Sequence, residues 1–211
     1  MWISIDPGMH MGYAVWDGEK LITSGSHCPK ASPKDFNKIL GREIRVGYIR
    51  KCVQALITDY NITKLAIEYP VISKIFQSNS VVIQVRIWSV ILDQFLAHNI
   101  PWEEFSPTAI KYAATGSGAA AKPLVMERVA ETFGEEHAKS PDQADAVAIG
   151  MCMINLQHKI NNQPVAYPLE KYRKPEKEPK KSKPAKEPEP PSELKERKKK
   201  VKKTKRKENE E

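Results

Sequence analysis

What most constrains this chain is the order in which its hydrophobic period changes. Trp2–Asp6 and Gly12–Trp16 read as strands, and Asp17-Gly18 turns the chain into a third, Leu21–Ser24. The period then becomes helical from about Lys34 to Tyr60, with Ile39/Leu40, Ile44, Ile49, Val53 and Leu56/Ile57 recurring on one face. Lys64–Glu68 is a short buried strand, Val81–Leu96 a helix, and Ile100–Phe105 a last strand. Helices over Pro107–Ala114 and Lys122–Phe133 follow, separated by the small-residue loop Thr115–Ala121. Ser140, Pro141 and Gln143 stand as N-cap, N1 and N3 of a final helix running to about His158, which predicts a capping box. The result is an α/β chain with a mixed five-stranded sheet flanked by helices. Its first and fourth strands can lie side by side and parallel, with their C-terminal ends at one edge.

Composition divides the chain in two. Residues 171–211 hold 18 of the 34 Lys and Arg but 9 of the 26 Asp and Glu, so this segment is net +9 and the remainder net −1. With six prolines and almost no apolar residues it cannot bury enough surface to offset its ordering entropy, and it reads as a disordered basic C-terminal tail. The expected division is a folded domain over 1–160 and a linker and tail over 161–211. Such an arm suits non-specific nucleic-acid affinity. Cys28, Cys52 and Cys152 are odd in number and lack metal-knuckle spacing. The longest apolar stretch, Val81–Leu96, is interrupted by Gln84, Arg86, Asp93 and Gln94, which disqualifies it as a membrane span. A soluble, intracellular protein is expected, in the cytoplasm of a bacterial or phage-infected cell, or in a nucleus if the source is eukaryotic.

Four carboxylates stand out by position. Asp6 ends the first strand, Glu68 ends the fourth, and Asp142 and Asp145 are three residues apart on the last helix, facing one way. Each has an ordinary reading alone. Asp6-Pro7-Gly8 is a plausible turn, and Asp142 suits a helix's first turn. Asp145 among Ala144, Ala146 and Val147, and Glu68 directly after Leu65-Ala66-Ile67, fit such readings less well. If all four meet, two bare charges about 4 Å apart repel by roughly 4 kcal/mol at an effective dielectric of about 20. A hard divalent cation relieves that repulsion, and an all-oxygen set suits Mg²⁺, with Mn²⁺ as a substitute. Two such ions can support in-line hydrolysis of a phosphodiester.

Asp6-Pro7-Gly8 with Gly12-Tyr13, Ala66-Ile67-Glu68, and Asp142-Gln143-Ala144-Asp145-Ala146-Val147-Ala148-Ile149 resemble the three acidic motifs of the RuvC-type Holliday-junction resolvases. Ile110-Lys111 and the segment from Thr115 to Lys122 are similar to that family's lysine-bearing segment, and Ser78, Gln84 and Arg86 fall at family-like positions. The resemblance covers roughly residues 2–158. It implies an RNase H-like fold, a homodimer, and Mg²⁺-dependent nicking of four-way or otherwise branched DNA. Asp6, Glu68, Asp142 and Asp145 would be the catalytic metal ligands. Lys111 and Lys122 would contact the scissile phosphate region, and Lys74, Arg86 and Tyr69 are further candidate DNA contacts. Two departures bear on junction selectivity. The loop Met9-His10-Met11 is one residue short and lacks the common Arg. Val71 stands where an aromatic wedge is common, with Tyr69 and Phe76 as substitutes. A divergent member, such as one encoded by a phage or virus, fits both.

Other classes share parts of this pattern. A related nuclease could act on RNA or on other branched or single-stranded substrates. An actin-like ATPase also opens with a strand and an Asp-x-Gly loop, but it would leave Asp142 and Asp145 unexplained. A non-catalytic DNA-binding scaffold would leave all four acids without a use. The five histidines show no ligand pairing, so each is expected to be structural or solvated. The nearly all-round apolar character of Val81–Leu96 predicts burial by its own sheet and by a partner subunit.

Overall fold

In the computed structural model the described residues are 1–8, 10–28, 39–70, 79–164 and 166–167. The candidates Lys74, Val71, Phe76 and Ser78, and the basic tail, lie outside them. Five strands, β1 (Trp2–Asp6), β2 (Met11–Asp17), β3 (Lys20–His27), β4 (Leu65–Glu68) and β5 (Trp102–Phe105), form one sheet in the order β3-β2-β1-β4-β5. β1, β2 and β3 are the antiparallel meander, while β1–β4 and β4–β5 pair in parallel. Five α-helices complete the fold: α1 (Ile39–Asp59), α2 (Asn79–Ala97), α3 (Pro107–Thr115), α4 (Lys122–Phe133) and α5 (Pro141–Ile160). This is the mixed, helix-flanked sheet expected from the sequence. β2 and β3 run longer than their apolar cores suggested, because the hairpin ladder continues through polar residues. A 3₁₀ turn at Glu135–His137 was not anticipated.

Side chains on a strand alternate between faces, and the sheet uses both. Ile3, Ile5, Leu65 and Ile67 point toward α1 and α2, where they meet Ile49, Val53, Ile87, Ile91 and Phe95. Ser4, Asp6, Ala66 and Glu68 point the other way, toward α5. α2 buries Ile87, Ile91 and Phe95 but leaves Val82 (52%) and Leu96 (64%) exposed, so one sheet and α1 cover only part of it. The partner-subunit half of that expectation has no counterpart in a single chain.

Under α5 the sheet is lined by small residues, and this sets how closely the helix approaches. Ser4, Ala14 and Ala66 are fully buried there. A Cβ on Gly12 would stand 1.8 Å from the backbone oxygen of Asp142, and one on Gly150 2.2 Å from the Trp16 ring. Both contacts need glycine. The Ser4 hydroxyl donates to the Ala146 carbonyl (2.7 Å) and accepts from Trp16 Nε1 (2.9 Å), which ties β1 and β2 to the helix backbone one residue beyond Asp145. The packing continues past α5, where the Tyr167 ring lies against Phe133 with centroids 5.7 Å apart.

Candidate active site

Asp6 and Glu68 are brought together by strand register. Ile5 pairs with Ile67 in the parallel ladder, so the next residue on each strand is a lateral neighbour on the α5 face. Adjacent strands lie about 4.8 Å apart, which places the two side chains next to each other at the same sheet edge. Asp142 and Asp145 come from α5, about 60° apart around its axis at 100° per residue. The Gly12 contact holds that first turn against β2. All four acids line one cleft of about 270 Å³, together with Lys111 from α3, Lys122 from the start of α4 and Gln84 from α2.

The electrostatics of the cleft follow from burial and from its shortage of cations. Burial raises the Asp6 carboxyl well above its ordinary range, and Glu68, Asp145 and Asp142 add to the rise while Lys122 opposes it. Burial, then Asp145, pushes Glu68 up to about 7, against the pull of Lys122 and Lys111. The Lys122 ammonium sits 2.9 Å from Asp145 Oδ2. Burial draws its pKa down, but the hydrogen bond to Asp145 and the charges of Asp145, Asp6 and Asp142 outweigh that, and the net shift is upward. The cleft therefore holds more negative charge than its own lysines balance.

The other candidates separate clearly. Arg86 is exposed on α2 and is not among the residues lining the cleft. Tyr69, just beyond Glu68, is 48% exposed. Its backbone N–H donates to the Phe105 carbonyl (2.8 Å), and its ring stands edge-on to Trp88 at 6.3 Å. Sequence reasoning missed His10, whose Nδ1 lies 3.7 Å from Asp142 Oδ2. The shortened loop was visible in the sequence, but the approach of His10 to the first turn of α5 was not. Three more histidines have partners: His137 bonds Ser24 Oγ, His98 bonds the Gln94 carbonyl, and His158 bonds Glu19 and the Pro164 carbonyl. Half of the capping box forms. Ser140 Oγ accepts from Gln143 N (3.2 Å), but Gln143 Oε1 accepts from Lys139 N, one residue before the N-cap.

Among the described residues, no three His, Cys, Asp or Glu side chains already stand in coordinating geometry. Asp145 is instead engaged by Lys122. The donor set nonetheless fits a hard divalent cation: four carboxylates, no thiolate, and two carboxyls driven toward protonation by burial and then by the neighbouring carboxylates.

A mixed sheet of five strands in the order β3-β2-β1-β4-β5, flanked by helices, is an RNase H-like fold. Within that class, the chain belongs to the crossover junction endodeoxyribonuclease RuvC family, whose model matches residues 2–153. Relatives of that name include the protein of Histophilus somni, 32% identical over 74% of this chain and 80% of its own length. The protein of Syntrophomonas wolfei is 30% identical over 72% of this chain and 87% of its own. Thermus thermophilus RuvC in complex with Holliday junction substrate superposes with a TM-score of 0.57 at 22% identity, covering 76% of this chain and 96% of that one. The yeast mitochondrial Holliday junction resolvase gives 0.54 at 12% identity, over 76% and 80%. At these identities the two structures speak to fold alone. The family's members are endonucleases that hydrolyse DNA phosphodiester bonds and depend on a divalent metal ion. The ATPase and non-catalytic scaffold readings therefore fall away. Among the described residues no helix is long and apolar enough to cross a membrane.

Proposed function

We propose that the protein resolves four-way or otherwise branched DNA, with Asp6, Glu68, Asp142 and Asp145 as ligands for two Mg²⁺ ions. The observation that supports this most directly is the meeting of four carboxylates from β1, β4 and α5 in one cleft, with two lysines on its wall. Divalent ions bound there supply Lewis acidity toward the scissile phosphate and a template for in-line displacement. The chain's own groups do the remainder. Lys122 exchanges its carboxylate partner for a phosphate oxygen, and Lys111, on the same wall, holds the neighbouring backbone. The buried, parallel-paired β1 and β4 beneath keep Asp6 and Glu68 in register while DNA binds. Tyr69, exposed beside Glu68 and backed by Trp88, offers an aromatic face to an unstacked base at the branch. Val82 and Leu96 on α2 mark the face through which two copies would pair, so that two clefts can nick opposed strands. The folded part, placed at 1–160, carries the chemistry. The arm at 171–211, net +9, adds affinity without sequence preference.

The test is cleavage of labelled four-way, three-way, flap and duplex DNA by the purified protein with Mg²⁺. The expected result is paired nicks in the four-way junction and little cutting of duplex. Preferential cutting of RNA or of unbranched single strands would move the protein to another substrate, and dependence on ATP would overturn the reading.

A further inference from the structure

Gln143 lies between the two helix acids in sequence but faces away from the cleft. It is 5% exposed, and its side-chain amide is fully engaged. Oε1 accepts from Lys139 N (3.1 Å), while Nε2 lies 2.9 Å from the Glu136 carbonyl, 2.8 Å from Ser24 Oγ and 3.2 Å from the Ser24 carbonyl. Nε2 has two hydrogens, so one goes to Glu136 and the other is shared between the two oxygens of Ser24. Ser24 Oγ also hydrogen-bonds His137 Nδ1 at 2.8 Å. One buried amide thus joins the first turn of α5, strand β3 and the 3₁₀ turn that leads into α5.

We infer that Gln143, with Ser24 and His137, is a positioning device for the active site: it fixes the rotation and axial place of the α5 first turn, and so the aim of Asp142 and Asp145. The geometry requires this division of labour. At about 100° per residue, Gln143 stands about 100° around the helix from Asp142 and about 160° from Asp145. Any roll of α5 that broke the amide's bonds would swing both carboxylates across the cleft. The Gly12 and Ser4 contacts hold the helix down on the sheet, but they lie beneath it and resist roll less than an anchor on its flank. The network bonds none of the four acids, and its route to catalysis is through where those acids point.

This inference rests on the reading of the acids as cation ligands, and its test separates the two. Mn²⁺ binding to the full chain, followed by the electron paramagnetic resonance of free Mn²⁺, needs no cleavage. Gln143→Met keeps the volume and removes every side-chain hydrogen bond. It should weaken Mn²⁺ binding by about tenfold, the lower end of the range for groups that orient metal ligands, and lower kcat on junction DNA while KM stays put. Ser24→Ala should act in the same direction but less, and Ser24→Thr, which returns the hydroxyl, should restore Mn²⁺ affinity. Leu56→Ala, in the core on the opposite face of the sheet, should lower Tm and leave the Mn²⁺ affinity alone. The inference is overturned if Gln143→Met binds Mn²⁺ as the native protein does, if Leu56→Ala shifts the affinity as much, or if Ser24→Thr fails to rescue. If Asp142→Asn left Mn²⁺ binding unchanged, the assignment of the acids would fall first, and this inference with it.

Discussion

Asp6 and Glu68 enter the cleft from the ends of two hydrogen-bonded strands, whereas Asp142 and Asp145 enter it from the first turn of a helix laid across them. The backbones that carry the strand acids cannot move apart without breaking the parallel ladder, and burial raises the pKa of both acids. The helix acids are half-buried and have cationic or protonatable partners of their own: Lys122 at 2.9 Å and His10 at 3.7 Å. The strand pair thus sets a fixed demand for positive charge, and the helix pair can exchange one cation for another. One half of the site is rigid because its backbone is in the sheet. The other half is aimed by contacts that a single side chain can alter.

If the strand half is indispensable, Asp6→Asn or Glu68→Gln should reduce cleavage by at least about a thousandfold, some 4 kcal/mol of transition-state stabilisation. Binding to junction DNA should hold or tighten, since each change removes a negative charge facing phosphate. Near-native cleavage by either variant would remove the distinction between the halves.

Gly12→Ala probes the seam between them. The new methyl would collide with the Asp142 carbonyl, so α5 must lift. A loss of about 2–3 kcal/mol in stability is expected, with weaker divalent-cation binding, whereas Gly47→Ala, with open space around it, should do neither. Denaturant titration and Mn²⁺ binding on the same samples check both.

The pH dependence of the metal-free protein sharpens the contrast further. Glu68 holds its proton more tightly folded, at about 7, than at its ordinary 4.5. Its contribution to stability is therefore fully present below about 4.5 and is lost as pH rises through about 7. Asp6 shifts in the same direction. Stability without metal should fall by roughly 3 kcal/mol from Glu68 between pH 5 and 8, and saturating Mg²⁺ should recover most of it at pH 8. Glu68→Gln should flatten the profile. A metal-free protein whose Tm rises across this range would contradict the buried, undercompensated strand pair.

The smallest effect concerns Lys122 as the helix half's internal counterion. Lys122→Gln frees Asp145, so Mn²⁺ should bind a few-fold more tightly while cleavage falls by about 10- to 100-fold for loss of the phosphate contact. Weaker Mn²⁺ binding in this variant would show that Lys122 supports the site instead of competing for it.

The two halves also differ in how far they could be read from the sequence. Glu68 and Asp6 are legible because a charge ending a short apolar strand is unusual, and the strand–helix–strand order places two such ends side by side. Asp145 is legible among alanines. The aim of the helix pair is not, because it depends on partners distant in the chain. Gly12 looks like an ordinary strand residue until the Asp142 carbonyl is found against it. Gln143 reads as a helix cap, yet it spends its amide on Ser24 and Glu136. His10 reads as a structural or solvated residue, and only the tertiary fold brings it to Asp142. Local pattern encodes elements and their charged ends, but close approach between elements is a property of packing that no window of sequence contains.

The most direct measurement is an anomalous difference map from crystals of the protein soaked in Mn²⁺. The account predicts a peak in the cleft with oxygen ligands from both halves, Asp6 from the sheet and at least one of Asp142 and Asp145 from α5, and with Lys122 withdrawn from Asp145. A peak bound by the helix acids alone, or manganese only outside the cleft, would contradict it.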